Sequence, residues 1–375
     1  MTGSDDASGT RGESYLLCAR KDGTGARLSN LLWTWRLASQ VGARTLVFWP
    51  PMDSYYGETT GVGDLIDIFE LTTSPLRHEL QIVDGRPADA FTPEIIDLDP
   101  AKACDVQRYL VDPSQIYRNK AAPPVPVIQT ATGPLLMRGE TRKAASAQAG
   151  ALFARLPFRQ TIRRPLKLVR RAHDMKSMVA VHVRRGDIIE VLQDACAQFT
   201  PEARRSGSVF DRYTEHFFRC CAPVETYERV LRPLLEQGKT ILLFSDTAEM
   251  AAPFLERFGE RVILASALAP PKLTGLQQAV FEVLLMGACP VIVGTKSLFG
   301  NLAAVLNGAY FIDVRNHATA EEFVSAYRQA IGFERMDGEV RAAVGEVLVR
   351  KLRENTLSGL WNAADDDILR ILRAA

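Results

Sequence analysis

The sequence contains no run of eighteen apolar residues, so no stretch of it reads as a membrane-spanning helix. It also lacks net charge: 45 basic side chains against 44 acidic ones leave +1. That balance gives no global field to draw the chain to nucleic acid or to a membrane surface, so any recognition of an anion must be local. Cysteine is sparse. The six thiols, Cys18, Cys104, Cys196, Cys220, Cys221 and Cys289, are scattered, include an adjacent pair that rarely bridges, and show no paired metal-ligand spacing. Cys18 and Cys289 sit in apolar runs and read as buried small hydrophobes. The opening residues are polar and rich in Gly and Ser, without the charged-then-apolar order of a signal. Residues 1–13 are expected to form a disordered lead.

What is present is enough apolar material, 47% of 375 residues, for two domains with real cores. The most informative stretch is Val179-Ala180-Val181-His182-Val183-Arg184-Arg185-Gly186-Asp187. Met178 to Val183 reads as a buried strand of a parallel sheet, with Gly186 expected to supply the turn at its carboxyl end. Open α/β sheets bind ligands at that edge. Arg184 and Arg185 offer fork-shaped, permanently charged donors suited to phosphate, bracketed by a titratable donor, His182, and an acceptor, Asp187.

The chain before it begins with a β-loop-α-β pattern: strand Ser14 to Ala19, a loop containing Gly23 and Gly25, helix Arg27 to Val41, strand Arg44 to Trp49. The loop nearly spells the dinucleotide fingerprint, but Leu28 stands at the third glycine. Pro50 to Pro134 is rich in proline and aspartate, and its Asp97-Leu98-Asp99 reads as a solvated turn rather than a metal site. Arg155 to Lys176 carries eight basic residues around an apolar stripe and predicts one basic amphipathic helix. Its ordinary role is a solvated helix at a domain boundary; the sharper one is a platform for an anionic acceptor or lipid headgroups. From Asp187 to about Ala222 the chain reads as a polar insertion.

Beyond the insertion a helix to Leu235 is followed by strand Thr240 to Phe244 and the turn Ser245-Asp246-Thr247, where Asp246 is either a helix cap or a ligand-facing acceptor. Gly275 to Gly287 predicts a nearly all-apolar helix whose single charge is Glu282. A carboxylate there demands donors. Pro290 to Gly294 is a strand leading through Thr295-Lys296-Ser297-Leu298-Phe299 into a helix, an arrangement with free amides suited to phosphate. A last strand at Tyr310 to Ile312, a helix from Thr319 to Ile331 with a Thr319/Glu322 capping box, and helices over Asp337–Asn355 and Asp365–Ala375 complete the pattern.

The motif His182-x-Arg184-Arg185-x-Asp187 after a hydrophobic strand resembles the signature of the fucosyltransferase superfamily that includes nodulation α1,6-fucosyltransferases, bacterial α1,2-fucosyltransferases and protein O-fucosyltransferases. The glycine loop at Gly25, the Ser-Asp turn at Asp246, the acidic residue at Glu282 and the segment Ser297-Leu298-Phe299 follow in that family's order. The resemblance implies an α/β protein of GT-B fold, two Rossmann-like domains with parallel sheets facing a central cleft: residues 14–175 on the acceptor side, 176–375 on the nucleotide-sugar side, the last helix crossing back. It implies an inverting glycosyltransferase that moves fucose from GDP-fucose to a glycan hydroxyl. Arg184 would meet the β-phosphate, Glu282 the guanine, and Ser297, Leu298 and Phe299 the diphosphate. Asp187 or Glu190 would be the base. No metal or other cofactor is required, since arginine and amides take its place. Glutamate stands where the family has aspartate, which keeps open a different GDP-sugar; a non-catalytic nucleotide-sugar-binding protein is the remaining alternative. With its free thiols the chain fits a bacterial cytoplasm, with membrane contact, if any, peripheral and through the basic helix at 155–176.

Overall fold

The computed structural model describes residues 15–18, 23–41, 44–47, 67–70, 74–82, 95–96, 109–111, 127–128, 135–137, 140–184, 186–245, 247–295 and 297–353. Their packing divides the chain into two α/β units. The division falls between Arg163 and Arg164, and the short segment Thr274–Val280 goes with the first unit, where Gln277 Nε2 donates to the Asp67 carbonyl at 2.8 Å. The sequence expectation puts the change at 175/176.

The first unit holds a five-stranded sheet built from β1 (Tyr15–Cys18), β2 (Arg44–Val47), β3 (Leu80–Ile82), β4 (Ile95–Ile96) and β6 (Val127–Ile128), in the order β3-β2-β1-β6-β4 with every pairing parallel. A separate parallel pair joins β5 (Tyr109–Val111) to β7 (Leu135–Met137). The helix α1 runs Thr24–Val41, three residues earlier than the sequence pattern suggests. Gly25 therefore lies in its first turn and not in a loop, because the carbonyl of Gly23 already accepts from Ala26 N at 2.9 Å and Arg27 N at 3.1 Å. Leu28, Leu31, Leu32, Trp35 and Ala38 are buried as their spacing predicts. Even Arg36 is buried, held by Glu140 and by Gln148 Oε1 at 3.1 Å.

The basic stretch at 155–176 is not one helix: only Gln160–Ala172 of it is α-helical. Helix α2 (Arg142–Ala154) ends with Arg155 as its cap; Leu156 precedes Pro157, whose ring disfavours helical backbone in the residue before it. Phe158 bridges to Phe69, their rings 5.1 Å apart. Helix α3 then covers Gln160–Ala172 with Pro165 inside it. A continuous stripe of leucines and arginines hides that break in the sequence.

The second unit is built on five parallel strands, β8 (Met178–Val183), β9 (Thr240–Ser245), β10 (Val262–Leu264), β11 (Val291–Gly294) and β12 (Tyr310–Asp313), in the order β10-β9-β8-β11-β12. Counted within the sheet this is 3-2-1-4-5, the Rossmann order, whose direction reverses between β8 and β11. All six residues of β8 are buried. Helices α4 (Gly186–Ala197), α5 (Val209–Cys220), α6 (Val224–Glu236), α7 (Ala248–Phe258), α8 (Gly275–Met286), α9 (Leu298–Asn307), α10 (Ala320–Ile331) and α11 (Gly338–Arg353) connect and cover it.

Two expectations are corrected here. Gly186 opens α4 directly instead of forming a turn, and the polar insertion after Asp187 is a pair of helices, α4 and α5, that enters the core. Ile188, Leu192, Phe210, Phe217 and Phe218 pack with Val179, Val181 and Val183 on one face of the sheet. Phe217 meets Tyr327 edge-on at 5.2 Å, and Phe218 stacks on the same ring at 5.3 Å. The apolar positions are spread among charges at helical spacing, so the segment looks polar on average while burying a full face. The Thr319/Glu322 capping box of α10 is present as expected, and Gly332 ends the helix at φ 66°. The helix expected at Asp365–Ala375 and the turn at Asp97–Asp99 lie outside the described residues.

Candidate functional site

The site grows from the end of β8. Alternation along the strand puts Val179, Val181 and Val183 on the face covered by α4 and α5 and turns His182 to the opposite face. There its Nδ1 lies 3.0 Å from the Ser297 hydroxyl, and its ring stacks on Phe299 with centroids 5.4 Å apart. Ser297 is the N-cap of α9, and its Oγ also accepts from Gly300 N at 3.0 Å. The hydroxyl can donate to Nδ1 or accept from it, according to the imidazole tautomer. His182 is neutral. Burial first, and the neighbouring Arg184 charge second, depress its pKa to about 3.

The surroundings hold this geometry with glycines and buried hydroxyls. His182 pairs with Gly294 in the β8–β11 ladder; a Cβ on Gly294 would stand 3.2 Å from the His182 carbonyl oxygen. That same oxygen accepts from Tyr227 Oη of α6 at 3.0 Å. A Cβ on Gly300 would lie 3.2 Å from the Phe311 ring and 3.7 Å from His182 Nδ1. Thr295 Oγ1 donates to the Cys220 carbonyl at 2.5 Å, tying the end of β11 to the end of α5. At the end of β12, Asp313 grips the buried Arg315 through both carboxylate oxygens, at 2.9 and 2.5 Å.

His182, Ser297 and Phe299 therefore meet at the carboxyl edge where the strand order reverses, with Leu298 alongside and Arg184 next along the chain, half-buried. Asp187 lies in the first turn of α4, one turn before Glu190, which is exposed. Glu282 sits mid-way along α8, partly buried among Phe281, Val283 and Leu285. Gly25 belongs to the first unit. Arg185, Asp246 and Lys296, and the side chain of Asp187, lie outside the described residues; the N-cap of α7 is Thr247, whose Oγ1 accepts from Met250 N at 3.3 Å. Among the described residues no three His, Cys, Asp or Glu side chains converge as a metal site would require.

Among solved structures, the chain aligns with fucosyltransferases at low identity. The fucosyltransferase NodZ from Bradyrhizobium aligns over 82% of this chain and 98% of its own, at 15% identity and a TM-score of 0.45. NodZ soaked with GDP-fucose aligns over 78% and 92%, at 16% identity and a TM-score of 0.43. The apo form of POFUT1 aligns over 82% and 99%, at 12% identity and a TM-score of 0.44. These are distant likenesses. No protein-family model matches the sequence, and neither does any curated protein.

Three of the groups that hold the site were not visible in the sequence. Tyr227, Thr295 and Gly300 act through atoms contributed by residues 45, 75 and three or more positions away. Only Gly300 gave a signal, as a glycine two residues into a helix directly after the Ser297 cap.

Proposed function

We propose that this protein is an inverting glycosyltransferase that takes fucose from GDP-fucose to a hydroxyl of a glycan. The observation that carries the reading is the buried, neutral His182 locked to the Ser297 cap at the switch point of a 3-2-1-4-5 sheet, with the Arg184 guanidinium beside it. Such an edge offers a fixed cation, a neutral imidazole and the first amides of α9, a set suited to a diphosphate. The sugar and the base come from the sequence motif. An acceptor oxygen would attack C1 while the C1–O bond to the diphosphate breaks, and the electron pair would leave on GDP. Arg184 would meet that charge as it develops. The acceptor proton would pass to Asp187 or Glu190 on α4, and Glu282 would accept from the N1–H and N2–H of guanine.

The test is calorimetric titration with GDP and GDP-fucose, followed by mass spectrometry of glycans incubated with the donor. Arg184→Ala should lower transfer by about 10 to 100-fold, the worth of one charge-assisted hydrogen bond, without loss of fold. Unchanged turnover in that variant removes Arg184 from the site. Tighter binding of another GDP-sugar would assign the donor to that sugar, an outcome that glutamate at position 282 leaves open, and GDP binding with neither transfer nor donor hydrolysis would make the protein a binder.

A further inference from the structure

One feature without a role in that chemistry is the outer face of α3. Arg164, Lys167 and Arg171 project from it and are exposed, and none has a partner among the described residues. Leu168, 57% exposed, sits between them, four residues after Arg164 and three before Arg171. The inner face fixes the helix in place: Leu166 is buried, and Arg170 Nη2 donates to the Leu284 carbonyl at 2.9 Å. From Arg155 to His173 the chain contains no acidic residue at all.

Several arginines elsewhere in the same unit are paired. Arg229 is held by Glu322, Arg232 by Glu228, Arg257 by Glu225 and Glu228, and Arg328 by Glu334. In a chain of net charge +1, this helix face carries three exposed cations without a partner among the described residues.

We propose that the outer face of α3 docks the protein on an anionic phospholipid surface. A bilayer explains both halves of the pattern. Lys and Arg reach lipid headgroups with their charged ends while their stems lie along the interface, and an exposed leucine among them gains by entering the acyl boundary. Nucleic acid would account for the cations alone, since Leu168 offers no base-stacking surface and α3 carries no aromatic residue. The reading does not depend on what the enzyme transfers.

The full chain is centrifuged with vesicles of neutral phosphatidylcholine and with vesicles containing 30% phosphatidylglycerol, at low and at physiological salt. Binding to the anionic vesicles only, weakened by salt, is expected. Lys167→Gln with Arg171→Gln should weaken it by about 25-fold, roughly fivefold for each side chain. Leu168→Gln should also weaken it, by several-fold, with the salt dependence kept. The exposed pair Arg142 and Lys143 on α2, changed to Gln together, should have no effect. Absence of vesicle binding, equal binding to neutral vesicles, or a Lys167/Arg171 variant that binds like the wild type would overturn the proposal. So would tighter capture by RNA that Leu168→Gln leaves untouched.

Discussion

The imidazole Nδ1 of His182 and the hydroxyl of Ser297 stand 3.0 Å apart although 115 positions separate them in the chain. One serine oxygen thereby caps α9 and fixes a histidine that protrudes from the central strand of the sheet. Ser297→Ala should remove both. A lost cap costs about 0.5 to 2 kcal/mol, and a buried ring nitrogen left unpaired costs roughly 1 to 3 kcal/mol more. Denaturant unfolding should show a combined loss of about 2 to 4 kcal/mol, and a loss under ~1 kcal/mol would mean that the two atoms are neighbours without being bonded.

The protonation of His182 makes a second expectation. Its folded pKa, about 3, lies below the ordinary value near 6.5, so in acid the unfolded chain binds a proton that the folded one refuses. The associated stability is complete above pH ~6.5 and disappears as pH falls toward 3. Between pH 7 and pH 4.5 the wild type should lose about 2.5 kcal/mol more than His182→Asn, a residue that cannot charge. Unfolding midpoints at the two pH values measure the difference, and parallel losses would place the imidazole in contact with water. It follows that an acidic limb near pH 6 in any rate profile belongs to a group other than His182.

Much of the second unit was legible because its signals are local. Five apolar positions out of six consecutive ones make β8, and a Thr and a Glu three apart make the cap of α10. The cap-forming Ser297 and the strand-ending His182 were each visible, yet that they touch is a property of strand order, which pairs β8 with β11 across more than a hundred residues. The helices α4 and α5 were missed for a different reason: averaged over the segment, Arg204, Arg205, Asp211 and Arg212 outweigh the buried Phe210, Phe217 and Phe218. The pairing of charges is not readable at all from spacing, since Arg36 finds Glu140, and Asp211 finds Arg350 and Lys351, only once the helices are packed.

Tyr227 tests how far the strand end needs support. Its ring is fully buried, edge-on to Phe254 at 5.3 Å, and its hydroxyl donates to the His182 carbonyl at 3.0 Å. Tyr227→Phe keeps the ring and deletes the bond, which should cost about 0.5 to 1.5 kcal/mol in unfolding experiments. If the bond also orients His182, donor affinity should fall with it; a variant with full stability and full affinity would show the hydroxyl to be an incidental neighbour.

A buried ionic cluster lies away from the site, at Asp211 of α5. Its carboxylate is buried and receives Gly207 N at 2.9 Å, Arg350 Nη2 at 2.7 Å and Lys351 Nζ at 3.0 Å, pinning α11 onto α5. Burial alone would raise its pKa, but those three donors hold it below the usual carboxylate range. Asp211→Ala leaves the buried Lys351 ammonium without its nearest counter-ion, and breaking a buried pair from one side costs about 3 to 5 kcal/mol. Removing both partners with Asp211→Ala and Lys351→Met should recover a large part of that loss, because no uncompensated charge remains in the core. The stabilisation from Asp211 is present above pH ~4 and is lost as pH falls through its depressed folded pKa, so the single variant should show a flatter acid profile than the wild type. A double variant no more stable than the single one would mean that the aspartate serves α5 through Gly207 and Arg350, with Lys351 contributing nothing to the fold.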